Sequence, residues 1–80
     1  YIKAYLGRGK VNYKLGKYRE AIADYTSVLL REPENANALY FRGISRKMTG
    51  DVINACQDFE KSSKLGKAEA FKELKNTCSK

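Results

Sequence analysis

Few residues in this chain of 80 are of a type that performs chemistry, and their spacing removes most of those. There is no histidine, so the commonest general base and the usual nucleophile triads are absent. Cys56 and Cys78 are too few for a zinc site, and no CxxC joins them. They read either as two small buried apolar residues or as one disulfide, which implies an oxidising compartment. Cys56 has no neighbouring base to make it a thiolate. Gly7-Arg8-Gly9 is a fragment of a dinucleotide fingerprint with no strand before it. Gly66-Lys67 is followed by Ala68, and Gly16-Lys17 by Tyr18, where a phosphate loop needs a hydroxyl for its metal. The carboxylate pairs Glu32 with Glu34 and Glu60 with Glu69 fall on turns or polar faces and read as solvated. No enzyme is expected, and no metal or cofactor is implied.

What remains is binding chemistry. The chain carries 16 basic against 9 acidic residues, a net charge of +7. That balance favours acidic partners and speeds their encounter, although Lys-rich helix surfaces alone produce the same excess. No apolar run approaches the roughly 20 residues of a membrane span. There is no secretory signal pattern, and the chain begins at Tyr1, so a piece of a longer or processed protein is expected. At this length one small domain over 1–80 is expected, burying about 60 to 65% of its unfolded surface.

The segments that carry these residues repeat. A shift of 34 carries Gly9 onto Gly43, Gly16 onto Gly50, Ala21 onto Ala55 and Tyr25 onto Phe59. The same shift carries Arg8 onto Arg42 and Asp24 onto Asp58. One supersecondary unit has been duplicated and stacked. Apolar spacing predicts helices from about Ile2 to Leu15, Tyr18 to Arg31, Ala36 to Thr49, Val52 to Lys64 and Lys67 to Ser79. Gly16 and Gly50 supply left-handed turns after the first and third. Pro33 stops the second, and Asn35 and Asp51 cap the third and fourth. The fifth is expected to bury Ala68, Phe71, Leu74 and Cys78, and the fourth Val52, Cys56, Phe59 and Ser63 beside Ala55. Gly7 and Gly9 each cost about 1 kcal/mol inside a helix and imply close packing against the missing side chains. Gly9 with Ala21, and Gly43 with Ala55, are expected at the crossing within each pair. Tyr25 and Phe59 are expected to pack on the following helix. Arg8 with Asp24, and Arg42 with Asp58, are expected to pair, the Arg stem lying on the core; four independent surface charges are the alternative.

This pattern resembles the tetratricopeptide repeat. Tyr5, Gly9, Gly16, Tyr18, Ala21, Tyr25 and Pro33 carry the match in the first unit, and Gly43, Gly50, Ala55 and Phe59 in the second. The departures are Tyr5 and Leu39 at the Trp position, Arg8 and Arg42 at the Leu, Asn12 and Arg46 at the Tyr, and Lys67 at the second Pro. The resemblance implies an all-α fold of five helices. Antiparallel helix pairs over about 2–35 and 36–67 would stack as a short right-handed solenoid, with a capping helix over about 68–79. Cys56, Leu65-Gly66, Ala68 and Cys78 resemble the closing segment of some bacterial repeat proteins. That likeness favours a Cys56–Cys78 disulfide and an envelope setting; without the bond the setting would be cytoplasmic. Two and a half units fall below the roughly three needed for independent stability, which implies modest stability, a missing partner repeat or self-association.

In this family the first helix of each pair builds the inner wall. The resemblance implies a groove faced by Lys3, Leu6, Lys10, Tyr13 and Lys14, then by Asn37, Tyr40, Phe41, Ile44, Lys47 and Met48. Apolar anchors with a rim of Lys suit a peptide or protein partner with apolar side chains and acidic character. A packing surface for another repeat, or for a second copy, is the competing reading. One subclass clamps the terminal carboxylate of chaperone tails. Lys3 matches one of its lysines, but Gly7 replaces the Arg, and Lys10 and Phe41 replace the two Asn, so chaperone-tail binding is not expected. A further alternative is RNA or another acidic polymer, with Tyr5, Tyr13, Tyr18 and Tyr40 stacking on bases. Against nucleic acid, the basic residues are spread around every helix.

Overall fold

The computed structural model describes residues 1–78. Five helices follow one another: α1 (Ile2–Lys14), α2 (Tyr18–Arg31), α3 (Ala36–Met48), α4 (Val52–Lys64) and α5 (Ala68–Glu73). The last runs on into a π-helical turn, Leu74–Cys78. The expected end of the cap at Ser79 lies outside the described residues. α1 packs on α2 and α3 on α4; α2 then packs on α3, α4 on α5, and α1 touches α3. Consecutive pairs therefore stack as in a helical-repeat solenoid.

Local chemistry sets the boundaries. Gly16, Gly50 and Gly66 have φ of 79°, 89° and 101°, a left-handed conformation that costs glycine little. At each, the residue after the glycine reaches back to the helix. Lys17 N–H donates to the Asn12 carbonyl at 2.8 Å, Asp51 to Arg46 at 2.8 Å and Lys67 to Ser62 at 3.1 Å. These closures satisfy carbonyls that the helix end leaves free. The Asn35 side chain accepts from Ala38 N–H at 3.0 Å, and Asp51 from Asn54 N–H at 3.4 Å, as N-caps do.

Two apolar clusters form the core. Ala21, Tyr25, Val28, Leu29, Ala38 and Leu39 make the first, and Ile44, Ala55, Phe59 and Ala70 the second; Tyr13 packs against both. The two aromatic rings fold back over the glycines of their own pairs. A Cβ on Gly9 would lie 3.0 Å from Tyr25 Cζ, and one on Gly43 would lie 2.6 Å from Phe59 Cε1. The crossing in each pair is thus glycine against ring, and Tyr25 reaches the following helix as well, stacked on Phe41 at 6.0 Å. Gly7 has no atom that would meet a Cβ within 4 Å, so no close packing accounts for it.

Two helix faces differ from the apolar spacing. In α4 the inward serine is Ser62, whose hydroxyl donates to the Ala36 carbonyl at 2.8 Å, while Val52 is exposed. In α5 the buried residue is Ala70, and Phe71 is 54% exposed. A further shift of 34 places Phe71 on Asn37, also exposed, but it places buried Ala70 on half-buried Ala36 and exposed Lys72 on buried Ala38, so the repeat carries over to α5 only in part. Cys56 and Cys78 are joined, with Cα atoms 5.8 Å apart, and Lys47 Nζ meets Glu73 Oε1 at 2.9 Å. Both links tie the cap to the second pair. No helix among the described residues is long and apolar enough to cross a membrane.

Candidate functional site

The α1 and α3 faces meet at a cleft of about 390 Å³ lined by Leu6, Lys10, Tyr25, Asn37, Phe41 and Lys67. Leu6 and Lys10 are one turn apart on α1, and Asn37 and Phe41 one turn apart on α3, so helical spacing presents each pair as a unit. Tyr25 enters from α2 because Gly9 leaves space for its ring. Lys67 reaches in from the turn before α5, its Nζ 5.3 Å from the Tyr40 ring centroid and 3.8 Å from Glu69.

Phe41 is the hub of the floor. Its ring centroid lies 5.1 Å from Tyr40, 5.6 Å from Tyr13 and 6.0 Å from Tyr25. Tyr13 also meets Tyr18 edge-on at 6.1 Å, and Tyr40 meets Phe59 at 6.1 Å. Contacts of this geometry fix ring positions. Tyr13, Tyr18 and Tyr40 are thus held by other rings rather than laid open as a stacking platform. Burial, with help from Asp24 and Tyr13, pushes the Tyr25 phenol up to about 12. Burial first, then Glu73 and Tyr13, also raises that of Tyr40.

The inner-wall residues expected from sequence divide into three groups. Leu6, Lys10, Asn37 and Phe41 converge at the cleft. Tyr13 and Tyr40 pack beside it as part of the aromatic floor. The others do other work or stand apart: Ile44 is in the second core cluster, Lys47 is paired with Glu73, and Lys3, Lys14 and Met48 are exposed. Tyr25 and Lys67 line the cleft without having been expected there. Sequence spacing places Tyr25 at a packing position, and it marks Lys67 only as the residue at the second Pro position.

The Arg–Asp pairs form within each helix pair. Arg8 Nη2 meets Asp24 Oδ1 at 2.7 Å, and Arg42 Nη2 meets Asp58 Oδ1 at 2.8 Å. Each Asp takes a second side-chain donor that sequence reading missed. Asn12 Nδ2 donates to Asp24 at 3.0 Å, and Arg46 Nη1 to Asp58 at 3.0 Å. The signal was present: Asn12 and Arg46 depart from the repeat pattern at the same register as each other. Arg42 also donates to Thr26 of the preceding pair at 3.3 Å.

Comparison with known proteins agrees with this architecture. The family model of the tetratricopeptide repeat, a module of protein–protein interaction, matches residues 2–35. Over 62 residues the chain is 39% identical to the DnaJ protein P58IPK homolog B of Oryza sativa subsp. japonica. That stretch is 78% of this chain and 13% of that protein, so the chain spans about an eighth of the relative it matches. With this match, residues 2–35 belong to the tetratricopeptide repeat family, and the stacked helix pairs and glycine-and-ring crossings carry the same architecture through the second pair.

Proposed function

We propose that the chain binds an extended segment of a partner protein along the wall made by α1 and α3, and that the segment combines apolar side chains with an acidic element. The observation that carries this reading is the convergence of Leu6 and Phe41 with Lys10 and Lys67 on one cleft. An apolar floor with a cationic rim gives anchoring from burial and selectivity from charge. The net charge of +7 draws acidic segments to the surface. The Cys56–Cys78 bond supports an oxidising setting, where such bonds persist. The exposed α1 edge at Arg8 supports a second contact there, with a neighbouring repeat or another copy of the chain.

A salt titration of Leu6→Ser against the native chain tests the groove. The ligand is a peptide alternating Leu and Glu, followed by fluorescence anisotropy. Native binding is expected to weaken by about tenfold or less between low and physiological salt, since apolar burial is insensitive to screening. Leu6→Ser is expected to lose most of the affinity. A single-stranded RNA binding more tightly than the peptide, and falling by roughly 1,000-fold over the same range, would replace the peptide groove with a nucleic-acid surface.

A further inference from the structure

We infer that the cleft between α1 and α3 holds one side-chain carboxylate of the bound peptide, with the Tyr25 hydroxyl as its neutral donor and Lys10 and Lys67 as flanking cations. This rests on the groove reading above and adds what the groove selects.

Tyr25 is 1% exposed, and its hydroxyl has no hydrogen-bond partner. Buried hydroxyls are almost always paired, so an orphan needs a reason. Packing supplies none. A shift of 34 places Phe59 at the same position, and that ring covers Gly43 as Tyr25 covers Gly9. The ring is what the crossing needs, and the oxygen is surplus to it. The atom that bears the hydroxyl, Tyr25 Cζ, is the one nearest a Cβ on Gly9, so glycine there lets the hydroxyl end of the ring lie against α1, between Leu6 and Lys10 of the cleft wall in sequence. Ser45 Oγ also lacks a partner, but Ser45 does not line the cleft and Tyr25 does.

The remaining lining residues fit a carboxylate. Lys10 and Lys67 supply positive charge, Asn37 an amide donor, and Leu6 and Phe41 apolar walls for a methylene stem. No carboxylate lines the cleft. The Tyr25 phenol is pushed up to about 12, so it keeps its proton at neutral pH and can only gain from an anionic acceptor. A neutral hydroxyl donating to a charged oxygen makes a stronger bond than one donating to an amide. The hydroxyl is buried in the free chain, so a ligand reaches it only by displacing a lining side chain; Lys10 is exposed and lines the cleft.

The test uses acetyl-Ala-Leu-Glu-Leu-Ala-amide and its Gln counterpart, both capped so that the only carboxylate is on the side chain. The Glu peptide is expected to bind about tenfold more tightly than the Gln peptide, as one charge-assisted hydrogen bond provides. In Tyr25→Phe the two affinities are expected to converge to within about twofold. Phe59 in the equivalent place indicates that this variant folds, and its melting curve checks that. Lys10→Gln, an exposed change, is expected to reduce the Glu preference without altering the fold. A Glu preference that survives in Tyr25→Phe overturns the hydroxyl anchor and leaves the groove standing. A Gln peptide with a free C-terminus that binds as well as the capped Glu peptide overturns the side-chain assignment in favour of a terminal carboxylate. Failure of both capped peptides to bind the native chain overturns the groove, and this inference with it.

Discussion

The Tyr25 ring fills the space Gly9 leaves, and its hydroxyl ends without a partner. Removing an unpaired buried oxygen returns its desolvation penalty, on the order of 1 kcal/mol. Tyr25→Phe is therefore expected to be at least as stable as the native chain in urea at pH 7. The gap should widen in alkali. An isolated phenol titrates at 10.0, and folding holds this one until about 12. Below pH 10 both states keep the proton and the shift has no effect. Above it the unfolded chain loses the proton first, so native stability falls as pH rises from 10 to 12. The loss attributable to Tyr25 reaches about 2 to 3 kcal/mol. The Phe variant should lack that share of the decline, and parallel denaturation curves for the two proteins would refute it. At this scale the sequence was partly legible. Recurrence at a fixed shift exposed the Arg–Asp pairs, whereas the hydroxyl's orphan state depends on three helices meeting and leaves no local pattern.

Within a helix, two glycines of the same kind stand in opposite surroundings. Gly7 in α1 has open space where a Cβ would go, and Gly43 in α3 has Phe59 at 2.6 Å. Alanine at either position recovers up to about 1 kcal/mol of helix propensity. At Gly7 nothing opposes that gain, so Gly7→Ala should raise stability by about 0.5 to 1 kcal/mol. At Gly43 the Phe59 ring is fully buried and must shift, at roughly 1 to 3 kcal/mol, so Gly43→Ala should be net destabilising. Thermal melts of the two single variants moving in opposite directions would bear this out, and a rise in both would mean that the ring has room to give. The same comparison explains what could be read at the level of elements. Helix bounds followed from caps, turns and the period. The buried face of α5 did not, because Phe71 attracts attention by hydrophobicity while the repeat places it with exposed Asn37. Apolar spacing fixes the face of so short a helix poorly, since half a turn of drift exchanges its faces.

Across the whole molecule, each helix pair carries the same Arg–Asp interaction in a different place in the stack. Asp24 and Asp58 are equally buried, but the Arg8 side chain is 64% exposed and that of Arg42 is 16%. Arg42 is covered because the preceding pair lies over it and offers Thr26, whereas α1 has no such neighbour among the described residues. Water screens the first pair and leaves the second in a lower dielectric, where attraction is stronger and an unpaired charge more costly. Double-mutant cycles in urea should therefore give a coupling below about 1 kcal/mol for Arg8 with Asp24. For Arg42 with Asp58 the coupling should be about 2 kcal/mol or more, in part because Asp58 also holds Arg46. Salt at 1 M should erase most of the first coupling and little of the second. Equal couplings would mean that stacking does not decide the strength of these pairs. Unequal ones would make Arg8 a gauge of the stack: a helix pair docked against α1 should raise its coupling towards that of Arg42.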